Sequence, residues 1–217
     1  MSAKVLRDGR VRLWLEPDDR GLAYGDGVFE TLLVHDGQPV WWSEHWSRLM
    51  HGAQVLGLPV PDQLLARREC ESLLAGSSQA VLKIILTRGS GGRGYRAPEN
   101  PLPTVIVSVH PAPPAVQDPV ALRWCKTAIA IQPALAGIKH LNRLEQVLGR
   151  AEWNDPDIFD GIMCDTEDRV VCATSANLFA LIGGRWLTPG VTRCGVAGIA
   201  RAWVLANAAD AVETDLS

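Results

Sequence analysis

Between His110 and Pro119 the chain reads HPAPPAVQDP, four prolines in ten residues, and no other stretch limits the fold so strongly. Proline has no backbone N–H and a fixed φ, so neither a helix interior nor an inner strand can run through this segment. The 217 residues are therefore expected to divide into an N-terminal domain over 1–112, a linker over 113–119 and a C-terminal domain over 120–217. With 47% hydrophobic and 21% charged residues, the chain has enough apolar material for a sizeable core.

Charge and cysteine usage exclude several classes. A formal net charge of -3 provides no broad basic field for nucleic acid. No apolar run approaches the ~18 residues of a membrane span. The opening MSAKVLRDGR breaks into charge before a signal-peptide core could form. Five cysteines, Cys70, Cys125, Cys164, Cys172 and Cys194, are odd in number and lack metal-ligand spacing, which fits reduced thiols in a cytoplasm and no metal site.

Period and turn chemistry predict a mixed α/β order. Asp8-Gly9 should join a strand at Val5 and Leu6 to one over 11–15, and Asp36-Gly37 should join strands over 27–34 and 39–42. Helices are expected over 43–56, capped by Ser43, and over 61–74, followed by strands over 80–87 and 104–110. In the second half strands are expected over 127–131, 158–164, 169–172, 178–182 and at Trp186-Leu187, with helices over 141–153 and 196–209.

Five segments carry candidate chemistry. In AGIKHLNRLEQV, Lys139 sits in a short apolar turn before an amphipathic stretch; desolvation lowers the pKa of an ammonium, as an aldehyde-capturing lysine requires. In HWSRL, His45 and Arg48 share one helix face, and a planar guanidinium on a rigid helix suits an anion such as phosphate. RGSGGRGY contains a GxGxxG string, but Pro98 and Pro101 follow where a dinucleotide fingerprint needs a helix, so that reading is rejected. TRCGVAGIAR ends in a glycine turn opening a helix, whose N–H groups and dipole favour a phosphate. RGLAYGDGVFET is a glycine-rich turn entering a half-buried strand. By residue type alone, a solvated lysine and an exposed arginine are the favoured readings of the first two segments, a flexible hairpin tip is the alternative for the third, and an ordinary helix start fits the fourth about as well.

Taken together and in order, the segments resemble the fold-type IV pyridoxal-phosphate enzymes, and among them the aminodeoxychorismate lyases. The resemblance runs from Arg20 to Arg201. It implies a small N-terminal α/β domain, a larger β-rich C-terminal domain, pyridoxal 5'-phosphate between them, and a homodimer. It implies that Lys139 carries the cofactor as a Schiff base and acts as catalytic base. Arg48 and the amides of Val196, Ala197 and Gly198 would hold the phosphate. Arg93 and Tyr95 would grip substrate carboxylates, with Thr31 and Tyr24 near the substrate. The implied reaction converts 4-amino-4-deoxychorismate to 4-aminobenzoate and pyruvate, a step of folate synthesis. A branched-chain or D-amino-acid aminotransferase of the same fold, or a catalytically weak cofactor-binding protein, are the alternatives.

Two departures stand out. In CATSAN, the position five before Asn177 is usually a Glu that pairs with the pyridine nitrogen; here it is Cys172, whose thiolate could partly substitute, or a water could. A weaker electron sink should favour a reaction driven by aromatisation, hence lyase over aminotransferase. The family also continues past the last helix with strands and a loop that add phosphate and carboxylate contacts, a segment this sequence is expected to lack.

Overall fold

In the computed structural model, which describes residues 2–116 and 118–216, the chain forms two compact units. One comprises Met1–Pro114 together with Lys139–Asn142, and the other Ala115–Ile138 with Arg143–Ser217. Residues 111–116 have no regular structure, while Gln117 of the expected linker lies outside the described residues.

The first unit is built on β1 (Ser2–Arg7), β2 (Arg10–Arg12), α1 (Arg20–Tyr24), β3 (Gly27–His35), β4 (Gln38–Pro39), α2 (Trp42–Leu56), α3 (Gln63–Leu74), β5 (Gln79–Thr87) and β6 (Thr104–His110). Its strands make one antiparallel sheet in the order β2-β1-β6-β5-β3-β4. Both expected Asp-Gly turns form, with all four residues at positive φ: Asp8 and Gly9 at 53° and 65°, Asp36 and Gly37 at 48° and 72°. That is the primed hairpin geometry whose twist matches the strands. Alternation along β3 and β5 buries Val28, Leu32, Val34, Leu82, Ile84 and Leu86, which pack with Trp46, Leu49 and Ala53 of α2 and Cys70 and Leu74 of α3. α2 is not capped by Ser43. Trp41 occupies the cap in a left-handed conformation, and Ser43 lies within the first turn with its hydroxyl on Glu44.

The second unit contains β7 (Ala121–Trp124), α4 (Leu144–Arg150), β8 (Ile158–Cys164), β9 (Val170–Ala173), β10 (Ala180–Ile182), β11 (Arg185–Thr188), α5 (Ile199–Asn207) and β12 (Ala211–Glu213). Its strands form two three-stranded sheets, β7-β8-β9 and β10-β11-β12. The expected strand over 127–131 is replaced by β7, parallel to β8. The physical cause is Glu152, whose carboxylate takes the N–H groups of Lys126 and Thr127 and so removes two donors from a ladder; pairing resumes only at Ile129, opposite Asp165. β12, which the sequence reading did not contain, runs parallel to β11 and follows α5 as its crossover helix. No described helix is long and apolar enough to cross a membrane.

Candidate active site

In the first unit the lysine segment extends a strand edge. β4 pairs only with Val34 and His35, so the leading half of β3 would otherwise have an unpaired edge. The stretch from Lys139 to Leu141 fills it: Phe29 N–H donates to Lys139 O at 2.9 Å and Leu141 N–H to Gly27 O at 2.9 Å. Asn142 adds its side-chain amide to Gly25 O at 3.2 Å. Gly25 permits this approach, since it has a φ of 66° and a Cβ there would lie 2.5 Å from Asn142 Oδ1. These bonds also correct the expected helix over 141–153. The Leu141 N–H is committed to Gly27 O and the Asn142 side chain to Gly25 O, and α4 starts at Leu144.

The pairing sets the Lys139 amine 4.5 Å from the centroid of the Phe29 ring, and a ring face attracts a cation. Lys83 approaches the same ring at 5.4 Å. Thr31 follows Phe29 by two residues and therefore shares its face of the sheet, opposite Lys83 in the register. Phe29, Thr31, Lys83 and Lys139 thus belong together. Neither Phe29 nor Lys83 figured in the sequence reading, although the two-residue period would have placed Phe29 beside Thr31.

Glu30 points to the other face, where it is 1% exposed among the apolar side chains. Arg48 grips it with two bonds, Nε to Oε1 and Nη2 to Oε2, both 2.7 Å, while His45 Nδ1 lies 2.6 Å from Oε2. Burial pushes the Glu30 carboxyl up, but the bonds and charges of Arg48 and His45 outweigh it and hold it below its ordinary 4.5. The flat edge of the Arg48 fork, assigned to a phosphate on sequence grounds, therefore already grips a carboxylate. His45 does more than support the helix start; it is the second ligand of Glu30.

Residues 88–103 form a loop with no helix after Gly94, in keeping with the rejection of the dinucleotide reading. Arg93 is exposed and Tyr95 is 88% exposed. Tyr24 buttresses this loop: its hydroxyl accepts the Gly94 N–H at 3.1 Å and its ring meets the Tyr95 ring edge-on at 5.5 Å.

In the second unit Cys172 lies on β9, packed with Ile129, Met163, Val171 and Cys194. Burial pushes its thiol up to about 12, so it is a neutral thiol at physiological pH, and the thiolate substitution expected from sequence gives way to S–H. The α5 helix starts at Ile199, three residues later than expected. Gly137 N–H donates to Gly195 O at 3.1 Å and Ala197 N–H to Gly137 O at 2.9 Å, which bridges Val196 to Gly137 and commits one of the three amides assigned to phosphate. The N–H groups of Ile199 and Ala200 open the helix, where no intrahelical acceptor exists for them. Gly198 lies flush against Asn177, where a Cβ would come within 1.9 Å of Asn177 Oδ1. The Asn177 amide donates to Val196 O at 3.0 Å, so this side chain braces the turn.

Residues 27–217 match the family model described as amino-transferase class IV. The chain is 37% identical over 191 residues to the aminodeoxychorismate lyase of Vibrio harveyi, covering 86% of this chain and 70% of that one. It is 29% identical over 203 residues to a putative branched-chain-amino-acid aminotransferase of Methanocaldococcus jannaschii, covering 90% and 68%. Among solved structures, 4-amino-4-deoxychorismate lyase from Pseudomonas aeruginosa superposes with a TM-score of 0.90 at 42% identity, covering 98% of this chain and 82% of that one. The branched-chain amino acid aminotransferase from Escherichia coli shares the fold, with a TM-score of 0.83 at 21% identity over 100% and 78%. An extended lysine segment on β3, a buried Glu-Arg-His cluster and a glycine-fitted helix start thus occur in a chain that belongs to the class IV amino-transferase family.

Proposed function

We propose that this protein is a pyridoxal-phosphate-dependent lyase that converts 4-amino-4-deoxychorismate to 4-aminobenzoate and pyruvate, as a cytoplasmic homodimer. The observation that carries the reading is the 42% identity to the Pseudomonas aeruginosa lyase over 98% of the chain. The residues fit the cofactor. Lys139 offers an amine beside an aromatic face, and the start of α5 offers N–H donors at a glycine that any Cβ would block, a cradle suited to phosphate. Arg48, anchored on Glu30, carries a positive charge suited to a phosphate.

Bound pyridoxal phosphate supplies an electrophilic aldehyde and a ring that accepts electron density. Lys139 is the residue that would hold the aldehyde, and its Nζ would serve as the proton carrier, taking the ring proton of the substrate and returning a proton to the methylene of the departing enolpyruvate. Cys172, as a neutral thiol at the position where the family carries a Glu, would lack a carboxylate's power to keep the pyridine nitrogen protonated. The product gains an aromatic ring, so the reaction needs less from that nitrogen than amino transfer does. Arg93 and Tyr95 receive the substrate carboxylates, and Thr31 borders the substrate beside Phe29.

Replacing Lys139 with Ala should abolish both the cofactor's visible absorbance and turnover, and borohydride should fix the cofactor to wild-type protein alone. Formation of fluorescent 4-aminobenzoate without any keto acid present tests the activity. Dependence of turnover on a keto-acid acceptor would show an aminotransferase instead.

A further inference from the structure

The loop that carries Arg93 and Tyr95 has few bonds of its own. Among the described residues, the hydrogen bonds that Gly94, Tyr95 and Arg96 make to the rest of the chain run to Arg20 and Tyr24. Arg20 Nη1 donates to Gly94 O at 3.0 Å and to Arg96 O at 3.4 Å, and Nη2 donates to Tyr95 O at 2.9 Å. Three successive carbonyls therefore converge on one guanidinium. A backbone curled inward in this way displays its side chains outward, and Arg93, Tyr95 and Arg96 are all exposed.

The guanidinium itself is held rigidly. Arg20 is 4% exposed, its Nε bonds Asp26 Oδ2 at 2.8 Å, and its plane lies 4.8 Å over the Tyr24 ring. Asp26 is fixed in turn by two bonds from Arg88, at 2.7 and 3.0 Å. Next along the chain, fully buried Asp19 accepts from Thr87 Oγ1 and Gly21 N–H. The loop also passes close along the Arg20 stem, where a Cβ on Gly91 would lie 2.8 Å from Arg20 Cδ. A planar fork matches several carbonyls at once; a lysine ammonium, a single point charge, could keep Asp26 but not the three oxygens.

We propose that Arg20 is a positioning residue that sets the Gly94–Arg96 loop, and through it the placement of Arg93 and Tyr95 on the substrate carboxylates. The assignment rests on the lyase reading above for the substrate, and on this geometry for the loop. Arg20 touches neither substrate nor cofactor in this role; it acts through the loop backbone.

The test uses the full-length holoenzyme with Arg20→Gln, Arg20→Lys and Tyr24→Phe. Deuterium exchange over residues 92–97 and tryptic cleavage after Arg93 and Arg96 should both accelerate in Arg20→Gln, and KM for aminodeoxychorismate should rise about 10-fold or more with a smaller change in kcat. Arg20→Lys should recover melting temperature through Asp26 while its KM stays raised, a split that a purely structural residue would not give. KM restored together with melting temperature in Arg20→Lys overturns the proposal, as does unchanged loop exchange in Arg20→Gln. Should Arg20→Gln fail to fold, Tyr24→Phe, which loses only the acceptor for Gly94 N–H, should shift exchange and KM in the same direction by less; no shift in either also overturns it. Wild-type protein that makes no 4-aminobenzoate removes the lyase reading instead, and the exchange measurement then decides the loop on its own.

Discussion

At the scale of single residues, Glu30 shows how a buried charge is kept in an apolar row. Its strand neighbours Val28 and Leu32 are core residues, so an unpaired carboxylate there would be very costly. Arg48 and His45 remove that cost with three contacts of 2.7 Å or less. Replacing Glu30 with Gln breaks the ion pair and leaves the guanidinium half-buried, a loss of about 3 kcal/mol, or roughly 10 °C in melting temperature for a domain of this size. The loss should depend on pH with a defined sign. The native carboxyl sits below 4.5, so its stabilisation is complete above 4.5 and fades as pH falls through the native value. Melting curves of wild type and Glu30→Gln should therefore differ most at neutral pH and converge under acid; a gap that widened below pH 4.5 would contradict the assignment.

At the scale of elements, the start of α5 depends on a glycine for its shape more than for its flexibility. Gly198 has an ordinary extended conformation, with φ -66° and ψ 142°. What it cannot accept is a side chain, because Asn177 occupies the space. Ala at 198 would push Asn177 off Val196 O and shift the turn, an overpacking cost of about 1–3 kcal/mol. Titration of the apoprotein with pyridoxal phosphate should show affinity weakened about 10-fold or more in Gly198→Ala, since 1.4 kcal/mol is a factor of ten. The exposed neighbour Ala197 contributes backbone alone, so Ala197→Ser should stay within about twofold of wild type by the same measure. Equal effects at both positions would show that the turn does not hold the phosphate.

Across the whole molecule, buried or half-buried carboxylates depressed by hydrogen bonds occur in both units. Asp26 and Glu30 lie in the first, and Asp160 and Asp165 in the second. For each, burial raises the carboxyl, and bonds from arginine, hydroxyl or backbone N–H groups bring it below its ordinary value of 3.8 for Asp or 4.5 for Glu. Stability from these groups is present above those values and is lost as pH falls through the native ones, so both units should weaken together under acid. Circular dichroism melts from pH 7 to pH 3 should show a level melting temperature down to about pH 4.5 and a steep fall beneath it. A melting temperature unchanged at pH 3 would mean that these carboxylates contribute little.

The amino-acid order alone determined what depends on neighbours within a few residues. The Asp-Gly turns, the alternation of β3, β5 and β6 and the period of α2 and α3 all follow from local sterics and burial of one face, and they are in place. The lysine string pointed to Lys139 because its residues are contiguous. Tertiary structure decided what depends on where a backbone donor or a charge finds its partner. Thr127 looked like strand, but Glu152 takes its N–H from 25 positions away. Leu141 looked like helix, yet its N–H goes to Gly27 on a strand edge that β4 is too short to cover. Glu30 and Arg48 are 18 positions apart, and Arg20 and Tyr95 are 75. A polar group bonds whichever partner the folded chain brings within about 3 Å, and no local pattern records that distance.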